Sequence, residues 1–99
     1  MHVDDIKPDW VGTPRKHSYE ENGIIHTAIS IDFSLRGDDT RYKLVIQIEG
    51  ENKRYEIKQY GSIKGAQKPF LKDTDYRYEN KTSPLIDAIL SDPYVQYFL

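Results

Sequence analysis

The side chains best suited to chemistry in this sequence are cations, which crowd the stretch 53–72 and could neutralise phosphate groups. Against a single acid, Glu56, this stretch carries six cations: Lys53, Arg54, Lys58, Lys64, Lys68 and Lys72. Cations that surround an aromatic ring and glycine N–H groups can hold a nucleic acid. The resulting candidate basic patch consists of Arg41, Lys43, Lys58, Tyr60, Lys64 and Lys68.

The alternative interpretation of this patch is a polar face exposed to solvent. Asp32, Glu49 and Glu56 are predicted on the same sheet face as Lys43 and Lys58, so the charges there are mixed. The net charge of -2 does not indicate a partner either. Nucleic-acid binding is therefore our second hypothesis rather than our first.

Aromatic residues are the second group, and they favour contact with another protein. The chain has 8 tyrosines in 99 residues, and tyrosine offers a large contact area with few rotatable bonds to immobilise. For Trp10 the sequence favours packing against the body of the protein over a binding role, and for the tyrosines edge packing is the equal alternative. The candidate interface aromatics are Trp10, Tyr94, Tyr97 and Phe98.

The 3 histidines do not predict a catalytic or metal-binding group. His26 is predicted opposite Glu49, and such a pair can tune a general base, but an exposed cross-strand pair is far commoner. No two histidines have the spacing of metal ligands on a helix or hairpin, and the chain has no cysteine. We therefore predict a protein without enzymatic activity, cofactor or metal ion.

These residues would be positioned by a central stretch that predicts three antiparallel strands. Apolar and polar residues alternate over 24–34, 41–49 and 53–60, which is typical of strands with one buried face. Two-residue turns at Gly37-Asp38 and Gly50-Glu51 would fix the register. Each apolar residue then faces another: Ile29–Ile46, Ile31–Leu44, Phe33–Tyr42, Ile46–Tyr55 and Leu44–Ile57.

The same register predicts the rows of side chains on the polar face. Lys43 is expected between Asp32 and Lys58, where the acid offsets part of the repulsion between the lysines. The full set of rows is His26–Glu49, Ala28–Gln47–Arg54, Ser30–Val45–Glu56, Asp32–Lys43–Lys58 and Ser34–Arg41–Tyr60.

The flanking segments predict an extended arm, a loop and a helix. Residues 1–22 form the arm, which could add a fourth strand at a sheet edge. Residues 61–82 form the loop, which is either functional or contains a short strand around Tyr76–Tyr78. A helix over about 84–91 begins with Ser83 as N-cap and buries a stripe made of Leu85, Ile86, Ile89 and Leu90.

The sequence thus predicts the α+β fold class, with one domain over 23–99 behind the arm. Its sheet is a three-stranded antiparallel meander, or four strands with the arm, packed against the C-terminal helix. The predicted function is that of a small non-enzymatic binding protein, such as a regulator, inhibitor or accessory factor. Its partner is most simply another protein, with nucleic-acid binding as the alternative.

Two further expectations concern assembly and location. A thin core favours homodimerisation, through the C-terminal segment 94–99 or a sheet edge. No apolar run is long enough to span a membrane, and the first residues lack the layout of a signal peptide. We therefore expect a cytoplasmic protein without a membrane partner.

Overall fold

An antiparallel sheet of 6 strands forms most of the part of the chain that the structure describes, and two short helices follow it. The computed structural model describes residues 7–62 and 77–98. The elements are β1 (Pro8–Val11), β2 (Arg15–Glu21), β3 (Ile24–Leu35), β4 (Asp38–Glu49), β5 (Asn52–Ser62), β6 (Arg77–Glu79), α1 (Pro84–Leu90) and α2 (Pro93–Phe98). An antiparallel sheet packed against one C-terminal helix was predicted; the sheet and a helix after it are confirmed, whereas the number of strands differs and a second helix follows.

The strand order is β1-β3-β4-β5-β6, and β2 also pairs with β3. β1 and β2 both lie along the outer edge of β3, where β1 pairs with its last residues and β2 with its first. β1 and β2 both come from the segment 1–22, which was predicted as an arm that could add one strand. β6 pairs with β5 at the other edge, and it agrees with one of the two alternatives for the loop, a short strand around Tyr76–Tyr78.

The predicted register of the three central strands is confirmed for all but one of the predicted rows. Ile31 pairs with Leu44, and Leu44 pairs with Ile57. On the polar face, Lys43 pairs with both Asp32 and Lys58 as predicted. The alternation of apolar residues and the turn at Gly50-Glu51 therefore specify the same pairing, since Gly50 has a φ of 61° and Glu49 pairs with Asn52.

The predicted row Ser34–Arg41–Tyr60 and the first turn are wrong. The turn residues are Arg36 and Gly37, because Leu35 pairs with Asp38 and Gly37 carries the positive φ, 80°. A register shift between Phe33 and Leu35 absorbs the difference. A second shift makes Arg41 pair with Gly61, so that Tyr60 is the extra residue of a bulge in β5.

The core lies between one face of the sheet and the two helices. Ser83 caps α1 as predicted, since its Oγ accepts a hydrogen bond from the N–H of Ile86 at 3.3 Å. Burying each large side chain of α1 stabilises the fold by about 1.5–3 kcal/mol. The helices contribute four fully buried residues to the core: Leu85, Ile86, Ile89 and Val95. Within 7–62 and 77–98, no helix is long and apolar enough to cross a membrane.

Candidate functional site

The open face is the sheet face opposite the helices, and it carries the described part of the candidate basic patch. The buried residues of α1 and the buried Val95 of α2 belong to the core on the other face. The open face includes Trp10, Arg15, His17, Tyr19, His26, Ala28, Ser30, Asp32, Ser34, Arg41, Lys43, Val45, Gln47, Glu49, Arg54, Glu56, Lys58, Arg77 and Glu79.

Acidic side chains contact the cations of the open face. Glu56 lies between two of them, with Oε2 3.7 Å from Nζ of Lys58 and Oε1 3.4 Å from Nε of Arg77. The Glu56 side chain is only 15% exposed, which weakens the screening of this cluster by water. Beside it, Oδ2 of Asp32 accepts a hydrogen bond from Nη2 of Arg15 at 3.2 Å. The described patch is therefore a face of mixed charge.

The structure brings some of the predicted patch residues together and leaves others undescribed. Lys43 and Lys58 are directly opposite each other, as predicted. Arg41 precedes Lys43 on β4, and its guanidinium lies over the ring of Trp10. Lys64 and Lys68 lie outside the described residues, and Tyr60 is described for its backbone alone.

Trp10 belongs to the open face rather than to the helices. It pairs with Ser34, whereas the next residue, Val11, pairs with the buried Phe33. The guanidinium carbon of Arg41 lies 6.0 Å from the centroid of the Trp10 ring, within the range of a cation–π contact. A Cβ at Gly12 would come 2.9 Å from Cη2 of Trp10, so the glycine lets the ring lie close to the sheet. Trp10 still remains 48% exposed.

The C-terminal aromatic cluster consists of Tyr94, Tyr97 and Phe98 on α2. The ring centroids of Tyr94 and Phe98 are 5.1 Å apart, and those of Tyr97 and Phe98 are 5.2 Å apart. These are ordinary spacings for packed aromatic rings. The three residues are 47%, 84% and 44% exposed, in chain order. Three of the four predicted interface aromatics therefore form one exposed surface, and Trp10 does not belong to it.

Three contacts fix α2 in place. Asp92 caps the helix, because its Oδ1 accepts a hydrogen bond from the N–H of Tyr94 at 2.9 Å and from that of Val95 at 3.3 Å. Val95 is fully buried in the core. The hydroxyl of Thr13 donates a hydrogen bond to Oη of Tyr94 at 3.0 Å. The aromatic cluster is therefore displayed on an anchored helix.

His26 lies opposite Glu49, as predicted, but its side chain is only 21% exposed. Its Nδ1 lies 3.7 Å from Oε1 of Glu49. The Tyr19 ring stacks on the imidazole, with centroids 5.0 Å apart and planes inclined by 10°. No group of three or more metal-ligating side chains forms within the described ranges 7–62 and 77–98.

A shallow cleft of about 300 Å³ lies on the helix side of the sheet, and sequence analysis did not predict it. Apolar side chains form its floor, and Lys16 and Lys53 stand at its rim. This volume is at the lower limit of pockets that enclose a small molecule. The lining residues are Lys16, Ile29, Ile46, Ile48, Lys53, Tyr55 and Leu90.

Sequence analysis also missed the contributions of β2 and β6 to the open face. A usable signal was present for β2, because Asn-Gly is the strongest short signal for a hairpin. Asn22 and Gly23 have φ values of 53° and 78°, which a type I′ turn requires. That turn places Tyr19 opposite His26 and Arg15 opposite Ser30. For β6 the signal is weak, because the strand has 3 residues.

The fold and its surfaces define a small antiparallel-sheet protein with an exposed aromatic cluster on its last helix. The chain belongs to the family described as "Protein of unknown function (DUF3910)", whose model matches residues 1–97. Comparison with curated proteins finds no match, and comparison with solved structures finds none either.

Proposed function

We propose that this protein is a non-enzymatic binding protein that contacts another protein through the C-terminal aromatic cluster. The observation that carries the proposal is the exposure of Tyr97, which is 84% accessible although it packs against Phe98. An exposed group of large aromatic side chains is typical of protein interfaces, where tyrosine and phenylalanine are enriched.

The composition of α2 supports the same function. Its residues, PYVQYF, include no charged side chain. Charged residues are depleted at the centres of protein interfaces, because burying them costs their hydration. The surface offered by Tyr97 and Phe98 can therefore be covered by a partner without burying a charge of this helix.

The anchoring of α2 lowers the entropic cost of binding. A surface that must be ordered on association loses affinity, because each immobilised side chain costs about 0.5–1.5 kcal/mol. Here the Asp92 cap and the buried Val95 hold the helix before a partner arrives. A binding protein of this kind would act as a regulator, an inhibitor or an accessory factor.

The proposal is tested with immobilised protein and extracts of the cells that encode it. The wild type is compared with a variant that carries both Tyr97→Ser and Phe98→Ser. The matched control is Ile25→Ser, which removes an apolar side chain that is 65% exposed on β3. We expect a partner protein that the wild type and the control retain equally and the double variant loses. Equal retention by all three would contradict the proposal.

Nucleic-acid binding is the second candidate, and one observation on the open face favours it. Trp10 presents a half-exposed ring that Arg41 covers, and rings of this kind can stack on bases. The adjacent lysines, Lys43 and Lys58, could contact phosphate groups. The ion pairs of Glu56 reduce the positive potential of this surface, so we rank the candidate second.

A further inference from the structure

β2 is an exposed edge strand with a regular backbone. All 7 of its residues are exposed, and it pairs with β3 through an uninterrupted register from Arg15–Ser30 to Glu21–Ile24. Among the described strands, β3 is its only neighbour. An edge strand directs a row of N–H and C=O groups outward, and another strand can pair with them.

The turn that follows β2 determines which backbone groups face outward. The two-residue turn at Asn22-Gly23 joins Glu21 to Ile24, and this flanking pair points its backbone groups inward, toward each other. Backbone direction alternates along an antiparallel strand. The outward N–H and C=O groups are therefore those of Lys16, Ser18 and Glu20.

The charges of β2 are arranged symmetrically about Ser18. Arg15 and Lys16 begin the strand, and Glu20 and Glu21 end it. A strand with this pattern is complementary to an antiparallel copy of itself. Lys16 would lie opposite Glu20 of the partner subunit, and Arg15 opposite Glu21 of the partner subunit.

We infer that the protein forms a symmetric homodimer by antiparallel pairing of β2 with β2 of a second copy, centred on Ser18. A two-fold axis makes each contact occur twice, so the register gives four pairs of opposite charge. Such pairs directly opposite each other stabilise a sheet, and like charges destabilise it.

The backbone restricts the register to shifts of two residues, and the charges select one register among these. A two-fold axis through Ser18 pairs the outward groups of Lys16 with those of Glu20, as a ladder requires. A shift by one residue would bring inward-directed groups to the interface. A shift by two residues in either direction would keep the backbone pairing. It would, however, move Lys16 away from Glu20 of the partner subunit and Arg15 away from Glu21 of the partner subunit.

The proposed pairing with a second copy is compatible with the contacts that β2 makes within its own chain. Lys16 and Glu20 lie on the helix side of the sheet, since they pair with Ile29 and Ile25. Arg15 lies on the open face, 3.2 Å from Asp32, and its guanidinium has further N–H groups for a second carboxylate. The dimer uses neither Tyr97 nor Phe98, so it is independent of the proposed protein-binding function.

Charge reversal tests the homodimer by sedimentation equilibrium of the full chain over a range of concentrations. Lys16→Glu and Glu20→Lys each turn both Lys16–Glu20 contacts into repulsive ones, and we expect each to raise the dimer Kd about tenfold. An equimolar mixture of the two variants should dimerise again, because both contacts of the mixed dimer then join a glutamate to a lysine. The variant that carries both substitutions should also dimerise.

The controls Lys81→Glu and Glu51→Lys make the same changes in net charge at exposed positions away from β2 and should leave Kd unchanged.

Amide hydrogen exchange of the wild type provides a measurement that needs no variant. Raising the protein concentration should protect the N–H groups of Lys16, Ser18 and Glu20, and leave those of His17 and Tyr19 unchanged. A monomer at every concentration would overturn the inference. A dimer that neither single variant weakens, or that the mixture does not restore, would also overturn it.

Discussion

The hydroxyl of Thr13 donates a hydrogen bond to Oη of Tyr94, across 3.0 Å and 81 positions of sequence. This bond joins the segment between β1 and β2 to α2. It therefore connects the outer edge of the sheet with the helix that displays the aromatic cluster. Tyr94 has a positioning role in the cluster, whereas Tyr97 and Phe98 provide the surface for a partner.

Tyr94→Phe should reduce the free energy of unfolding, because it removes the bond with Thr13 and keeps the ring. The bond lies near the surface, so we expect a loss of about 0.5 kcal/mol, at the low end for a hydrogen bond. The measurement is urea denaturation followed by circular dichroism. Tyr97→Phe is the matched control, since it removes a hydroxyl from a residue that is 84% exposed. Equal stability of the two variants would contradict the positioning role.

Gly23→Ala should destabilise the β2–β3 hairpin through the backbone alone. Gly23 has a φ of 78°, and a Cβ there would meet nothing within 4 Å. A non-glycine residue in this region costs about 1–2 kcal/mol, and urea denaturation can measure the loss. Glu51→Ala is the control, because Glu51 is an exposed turn residue without a positive φ, and it should change stability by less than about 0.5 kcal/mol. An equal effect of both substitutions would contradict the assigned turn.

The central strands could be predicted from sequence because two independent signals agree there. The alternation of Leu44 and Ile46 requires the same pairing of β4 with β5 as the turn at Gly50-Glu51. For β3, the alternation from Ile29 to Phe33 specifies the pairing with β4 although the predicted first turn is wrong. β2 has no such alternation, since all of its residues are exposed. Its position follows from the Asn22-Gly23 turn instead, which carries information about pairing but not about burial.

The candidate site could be predicted in part, because residue type and residue position carry different information. The aromatic character of Tyr97 and Phe98 suffices to suggest an interface, and both rings are exposed. Trp10 shares only its residue type with them. Its face depends on the pairing of β1 with β3, which contains a register shift between Pro8 and Trp10. Nothing in the sequence specifies that shift.

The mixed charge of the open face leads to a prediction about nucleic acids. We expect short RNA and DNA to show no salt-sensitive binding at low ionic strength, because Glu56 and Asp32 offset the neighbouring cations. Fluorescence anisotropy of labelled oligonucleotides measures this directly. A variant with Lys43→Ala and Lys58→Ala is the control for specificity. Salt-sensitive binding that this variant loses would make nucleic-acid binding the first candidate.

Site-specific photo-cross-linking at position 97 tests the central claim most directly. The full chain, with a benzophenone amino acid in place of Tyr97, is irradiated in the cells that encode it. Glu51, in the exposed turn between β4 and β5, provides the control position. We predict that one partner protein cross-links at position 97 and not at position 51. Identical products from both positions, or no protein product at position 97, would contradict binding through the C-terminal aromatic cluster.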